Sequence, residues 1–395
     1  MTLDLMHMRA TFGFVSILTV GVVGVAACST SETPKTPGYS SSPAYETSSS
    51  APSSAVPMAA GCVSTELSRM STRRKLAQML MVGVKDTADA RAAVNREHVG
   101  GIFVGSWTDK SILTSGAAKT LSSGRVPTMV SVDQEGGRVS RLKTLGIDFP
   151  PARELAKTKS PSAVRQMAFE AGKRMKAMGI TVDFAPDIDV SDQPADSVIG
   201  DRSFSDDPAT VAQYGRVFAA GLRDAGVLPV FKHFPGHGHG SGDSHTGTVK
   251  TPPLSDLVTN DLEPFRVLLP MKGVGAMVGH LIVPGLTGPD TPASISPKAI
   301  GMLRTGRGYN GPAFNGVIFT DDLSGMAAIT EKYPIDRAVP MALAAGADIA
   351  LWITTDKLTA VLDALEKAVA SHKLSMDHVD ASVARILRAK HLKHC

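Results

Sequence analysis

Between Lys232 and His245 the chain reads Lys-His-Phe-Pro-Gly-His-Gly-His-Gly-Ser-Gly-Asp-Ser-His, a segment that holds four of the protein's 11 histidines. Two chemistries use such residues. His and Asp ligate metals, but a ligand set needs fixed geometry from a helix or strand. Here Pro or Gly interrupts nearly every step, so no helical spacing can be assumed for His233 and His237. The alternative is proton transfer. Asp243 and His245 stand two apart, and in extended chain positions i and i+2 point the same way. The carboxylate then accepts the imidazole N–H, fixes its tautomer and stabilises the protonated ring. An imidazole titrating near about 6.5 serves as both acid and base close to neutral pH. Such an acid needs a partner, and Thr320-Asp321-Asp322-Leu323-Ser324 supplies a carboxylate at the end of an apolar run. Carboxylate attack on an anomeric carbon, with a separate acid protonating the leaving oxygen, is the chemistry of a retaining glycosidase. Neighbours on a strand face opposite sides, so one carboxylate of the doublet is expected to face the site.

These residues sit in a repeating frame. Short runs rich in Val, Ile, Phe and Met alternate with longer amphipathic stretches, the pattern of a parallel sheet with crossover helices. The runs are Met79 to Val84, Gly101 to Val104, Pro127 to Val132, Thr181 to Phe184, Leu228 to Phe231, Ala276 to Val278, Val317 to Phe319 and Ile349 to Trp352. Helical patterns fall at Ala163 to Met178, Pro208 to Ala225, Pro297 to Arg307 and Leu358 to Ser371. Eight such units in one domain predict an α/β fold, a closed (β/α)8 TIM barrel, whose chemistry gathers at the carboxyl ends of the strands. Those ends are polar. The third run leads into Asp133-Gln134-Glu135-Gly136-Gly137-Arg138, the fourth into Asp187, Asp189 and Arg202, and the fifth into Lys232-His233. The sixth meets His280, the seventh Asp321-Asp322, and Trp352 ends the eighth. Any one of these aspartates alone reads first as a helix cap or a loop ion pair; their recurrence marks one end of the barrel as a polar pocket.

The segments DQEGGRVSRL, GDRSF, KHFPGHG followed by DSH, and TDDLS resemble those of the family 3 glycoside hydrolases, most of all the single-domain bacterial β-N-acetylglucosaminidases. The similarity runs from about Ser64 to the last helices, in the family's order. It implies that Asp321 is the nucleophile, that His245 is the acid/base with Asp243 as its partner, and that Asp133, Arg141, Arg202, Lys232 and His233 hold the hydroxyls of the terminal sugar. It implies no metal and no cofactor. Two departures stand out: the glycine-rich stretch His239-Gly240-Ser241-Gly242 ahead of DSH, and Gly325 within the usual DLSM continuation. The chain ends after the barrel, without the additional α/β domain of many family 3 β-glucosidases, which favours an aminosugar substrate, most plausibly a peptidoglycan fragment. A β-glucosidase or β-xylosidase, a phosphorylase using the same site, and a non-catalytic glycan-binding protein are the alternatives.

The two ends carry different information. Ala10 to Ala27 holds no charged side chain and closes in Val25-Ala26-Ala27-Cys28, which resembles the lipobox of bacterial lipoproteins, with residues 1–27 as signal peptide and Cys28 as the lipidated residue. An uncleaved anchor helix is the alternative. Residues 28–61, mostly Ser, Thr, Pro and Ala, are expected to form a disordered tether to the outer face of the cytoplasmic membrane or the cell envelope. Residues 62–395 form the barrel, bracketed by Cys62 and Cys395, which are candidates for a disulfide in an exported protein. The 395 residues carry 41 basic and 37 acidic side chains, interspersed along the chain, a pattern that excludes an electrostatic nucleic-acid binder. The expected partners are a carbohydrate and, through the lipid, a membrane; the protein is expected to be a monomer.

Overall fold

The computed structural model describes the backbone of residues 55–391 and the side chains of residues 61–391. Cys28 and Cys395, with the expected signal segment and most of the expected tether, lie outside them.

Eight short strands build one sheet: β1 Leu80–Gly83, β2 Gly101–Phe103, β3 Met129–Val132, β4 Val182–Asp183, β5 Leu228–Phe234, β6 Gly275–Val278, β7 Ile318–Thr320 and β8 Ala350–Trp352. Their spatial order is β7-β6-β5-β4-β3-β2-β1-β8, and every pairing is parallel. The two ends of that order meet. Phe319 in β7 bridges Ile349 just ahead of β8, Thr320 N–H donates to Ile349 O at 3.0 Å, and Ile349 N–H donates to Ile318 O at 3.0 Å. The sheet thereby closes into the expected barrel. Residues such as Leu80, Met81, Val82, Val130 and Phe231 are fully buried, because helices cover one side of a closed sheet and its own interior fills the other.

The covering helices start where the sequence supplies a cap. Ser160, Asp207 and Ser296 each accept hydrogen bonds from the first-turn N–H groups of Pro161–Ala177, Pro208–Asp224 and Pro297–Thr305, and each is followed by proline at the first helical position. The first two helices pack closely against each other at Gly221, where a Cβ would come within 2.4 Å of the Arg165 carbonyl oxygen.

Three features differ from the sequence reading. Helix Ala55–Arg69 begins within the stretch expected as tether, because Ala-Val-Pro-Met-Ala-Ala carries enough helix-forming residues to extend the turn N-terminal to Cys62. Cys62 lies in this helix, half-buried and disulfide-bonded. Strand β5 runs three residues past Phe231, to Phe234. Lys232 and His233 therefore sit on the barrel wall itself, and the glycine-rich stretch starts only after Pro235. Trp352 is buried in the core instead of bordering the pocket.

Candidate active site

A cleft of about 280 Å³ opens at the carboxyl ends of the strands. Phe103, Phe184 and Phe319 stack edge-to-face or tilted across the barrel at 5.9 and 5.4 Å, and the first two face the cleft. Of the expected site residues, Asp133, Arg141, Arg202, Lys232, His233, His245 and Asp321 all border this cleft, and Asp243 stands behind His245.

The polar floor is a buried charge network. Lys232 Nζ lies 2.8 Å from Asp133 Oδ1 and 2.5 Å from Glu135 Oε1. Arg202 grips Glu135 with two parallel bonds, Nε to Oε2 at 2.7 Å and Nη2 to Oε1 at 2.9 Å, and its Nη2 is 3.4 Å from Asp187 Oδ2. Burial alone pushes Glu135 upward, yet Arg202 and Lys232 outweigh it and hold the carboxyl well below its usual range. Burial likewise works against the Lys232 charge, and Asp133 and Glu135 reverse that, leaving its pKa raised. Glu135 is absent from the residues the sequence reading singled out. The signal was present: it stands two residues after Asp133, the spacing that puts side chains on one face of an extended chain.

The histidines divide into three tasks. His233 Nδ1 is 2.7 Å from Asp189 Oδ2, while the backbone N–H groups of His233 and His237 donate to Asp189 Oδ1 at 3.2 and 2.7 Å. Burial lifts Asp189 to about 6 and depresses His233 to about 4 and His237 to about 3. His233 is thus neutral near pH 7; its Nδ1–H donates to Asp189, which leaves Nε2 as an acceptor. His239 is drawn away from the cleft to Asp261, at 2.9 Å. Of the four histidines in this segment only His245 is exposed, and its Nδ1 lies 2.7 Å from Asp243 Oδ1, which also accepts the His245 backbone N–H at 2.9 Å. Burial raises Asp243, but these two bonds prevail and its pKa is lowered. With Nδ1 occupied, Nε2 is the atom left to give and take a proton.

The loop carrying the dyad is glycine-rich yet fastened at both sides. Ser241 N–H donates to Lys250 O at 2.8 Å, where Val249–Lys250 pairs with Leu281–Ile282, and Ala327 and Ala328 N–H donate to the carbonyls of His245 and Ser244.

Both members of the doublet border the cleft, contrary to the expectation of one. Strand β7 ends at Thr320, so strict alternation no longer applies at Asp321 and Asp322. Their hydrogen bonds separate them. Asp322 Oδ1 accepts from the N–H and hydroxyl of Ser324 at 2.8 and 3.0 Å. Asp321 Oδ1 accepts the Asp322 N–H at 2.9 Å, and Oδ2 is left open toward the cleft. Burial raises the pKa of Asp321, but His233, His280, the Asp322 N–H and Lys232 together lower it. Because His233 is neutral near pH 7, its share of that effect is absent there. Burial raises Asp322. His280 is a positioning residue: its Nε2–H donates to the Asp322 carbonyl at 2.7 Å and its Nδ1 meets Ser294 Oγ at 2.7 Å.

Arg141 lines the cleft with no hydrogen bond or ion pair to a described residue, so its guanidinium is available to a ligand. Asp187, Asp189 and His233 bring three donor atoms within 4.8 Å of one another, the protein-ligand number of a catalytic zinc site. In this arrangement His233 Nδ1 is taken by Asp189 and a guanidinium stands beside Asp187, so the cluster is already compensated by protein charge. A larger cavity of about 600 Å³ opens at the opposite end of the barrel, among Gln78, Val99 and Thr128 ahead of β1, β2 and β3. Its one carboxylate is Glu66, without a second acid or a dyad.

Residues 71–389 match the model of the glycosyl hydrolase family 3 N-terminal domain. The chain is 52% identical over 381 residues to the beta-hexosaminidase LpqI of Mycobacterium tuberculosis, covering 95% of this chain and 96% of that protein. The solved structure of M. tuberculosis LpqI superposes with a TM-score of 0.82 at 55% identity, covering 84% of this chain and 97% of that one. A family 3 beta-N-acetylglucosaminidase from a Paenibacillus species gives 0.71 at 31% identity over 81% and 62% of the two chains. An open carboxylate at a strand end, a solvated His–Asp pair and a buried charged floor thus meet in one barrel that carries this likeness, and the chain belongs to glycoside hydrolase family 3 and is a hydrolase of the β-hexosaminidase type.

Proposed function

We propose that the protein removes terminal β-linked N-acetylglucosamine from peptidoglycan fragments, with retention of configuration, while anchored to the envelope through lipidated Cys28. The observation that carries this reading is the pairing of Asp321, whose Oδ2 is open to the cleft, with a histidine whose Nδ1 is committed to Asp243. In the first step Asp321 Oδ2 attacks the anomeric carbon. The bond to the leaving oxygen breaks, and that oxygen takes the proton from His245 Nε2. In the second, His245 Nε2 removes a proton from water, which attacks the same carbon and releases Asp321. Two inversions give retention. Asp133 accepts from the terminal sugar's hydroxyls, Lys232, Arg202 and Arg141 donate to them, and His233 Nε2 accepts. No step calls on a metal or an organic cofactor.

The test is to incubate the protein with a peptidoglycan digest and identify the released sugar, with Asp321→Ala alongside. Release of N-acetylglucosamine by the native chain and none by the variant is the expected result. Equal release by both would remove Asp321 from the mechanism, and release of a neutral hexose from aryl glycosides in preference to the 2-acetamido sugar would move the protein to the glucosidase side of the family.

A further inference from the structure

Among the described residues one large apolar side chain is conspicuously exposed, Trp107, at 46%. It borders the same cleft as Asp321 and His245. Its indole lies over Gly105, where a Cβ would come within 2.3 Å of the ring, and is tilted at 54° to Phe103 with centroids 5.8 Å apart. An exposed indole is usually free to move, but the loop beneath this one is tied down from several sides. Thr108, itself buried, sends its hydroxyl to Val84 O at 2.6 Å and accepts Gly105 N–H at 3.0 Å. Lys110 Nζ gathers the carbonyls of Gly105 and Thr108 at 2.7 and 2.9 Å, and Asp109 N–H reaches Lys85 O at 2.8 Å. The tryptophan is therefore a flat, water-facing surface on a rigid support.

We infer that Trp107 is the platform of a leaving-group subsite, on which the sugar ring beyond the scissile bond lays its C–H face. Depth assigns it to that side. The groups suited to hydroxyls, Asp133, Arg202, Lys232 and His233, lie on the buried floor, where the terminal sugar must sit for Asp321 to reach its anomeric carbon. The exposed rim, which holds His245 and Trp107, is where the departing part of the substrate remains. A pyranose offers an apolar face of axial C–H groups, and an aromatic ring held flat receives it with little loss of side-chain freedom. The inference rests on the catalytic assignments above.

The test compares the β-1,4-linked N-acetylglucosamine disaccharide, which has a ring on the leaving side, with methyl β-N-acetylglucosaminide, which has none. In the full chain, Trp107→Ala is expected to raise KM for the disaccharide about three- to tenfold with kcat little changed, and to leave the methyl glycoside unaffected; Trp107→Phe should fall between. Fluorescence gives a second readout, because the other tryptophan, Trp352, is buried at 1%. In the Asp321→Ala background the disaccharide should shift the emission, free N-acetylglucosamine should not, and the shift should vanish when Trp107 is also alanine. Equal losses on both substrates, or no loss and no shift, would overturn the inference. Failure of the native chain to hydrolyse either substrate would instead strike the catalytic reading, and the fluorescence titration would still decide on Trp107.

Discussion

Replacing Glu135 by glutamine should be strongly destabilising, and the structure says how much and at what pH. The side chain is 4% exposed, and its partners Arg202 and Lys232 are 12% and 3% exposed. Three of its contacts, at 2.5, 2.7 and 2.9 Å, are charge-assisted. Glutamine keeps the shape and removes the charge, so two cations remain at the buried floor of the cleft with only Asp133, at 22% exposure, and Asp187, whose own pKa burial raises, to answer them. Breaking a buried ion pair from one side typically costs about 3–5 kcal/mol, which raises the unfolding equilibrium constant by roughly a hundredfold to a few thousandfold. The sign of the pH dependence follows from the direction of the shift. Glu135 has a folded pKa below its unfolded value of 4.5, so its contribution is fully present above that pH and fades as pH falls toward the folded value. Urea unfolding followed by far-UV circular dichroism at pH 7 and pH 3.5 should show a wide gap between native chain and variant at pH 7 and a narrower one at pH 3.5. A gap under about 1 kcal/mol at pH 7, the range of an exposed pair, or one that does not narrow in acid, would refute the view that this network is held by the Glu135 charge.

Lys390 is buried with its Nζ 2.6 Å from Gln78 Oε1 as its hydrogen-bond acceptor, and burial lowers its pKa to about 7. A lysine depressed in the folded state makes stability rise with pH between about 7 and the unfolded value of 10.5; Lys390→Met should therefore melt higher than the native chain at pH 6, by about 2–4 kcal/mol after the loss of the Gln78 contact, with the advantage shrinking as pH rises to 9. Asp243→Asn should fold normally, since both members of the dyad are solvated, yet lower kcat up to about a hundredfold on alkyl glycosides and far less on an aryl glycoside with a very good leaving group, which departs without a proton. Cys28→Ala, expressed in the native envelope, should move the protein from the membrane to the soluble fraction; unchanged retention on fractionation would argue for an uncleaved anchor.

What the sequence revealed and concealed follows the range of the forces involved. The eight strands were legible because burial on both faces writes an apolar run into each, and the helix starts at Pro208 and Pro297 because capping is local; the helix expected from Ala163 begins two residues earlier, at Pro161, where Ser160 caps it. The dyad was legible for the same reason: Asp243 and His245 meet across two residues. The floor was only half legible. Lys232 and Glu135 are 97 positions apart and Arg202 and Glu135 are separated by 67; the spacing from Asp133 puts Glu135 on the same face, but nothing local says which cations it meets there. The orientation of the doublet at 321 and 322 was misjudged because alternation was carried one residue past the point where β7 ends.

Under the proposed mechanism, the division between the buried floor and the exposed dyad has a physical reason. Binding hydroxyls with full charges requires those charges to be in place before the sugar arrives, and burial makes them both strong and expensive, so each is answered within the protein: Lys232 by Asp133 and Glu135, Arg202 by Glu135 and Asp187. The proton donor has the opposite need. It must gain a proton from water in each cycle and hold it near neutral pH, and the floor histidines cannot do so, since burial drives His233 to about 4 and His237 to about 3. A histidine placed 60% exposed on a fastened loop, with one carboxylate behind it, keeps contact with solvent and an oriented Nε2 together. The same sequence segment thus supplies histidines of different kinds: His233 on β5 and His237 just beyond it are buried in the floor, and the exposed imidazole suited to proton exchange comes only at His245, on the fastened loop.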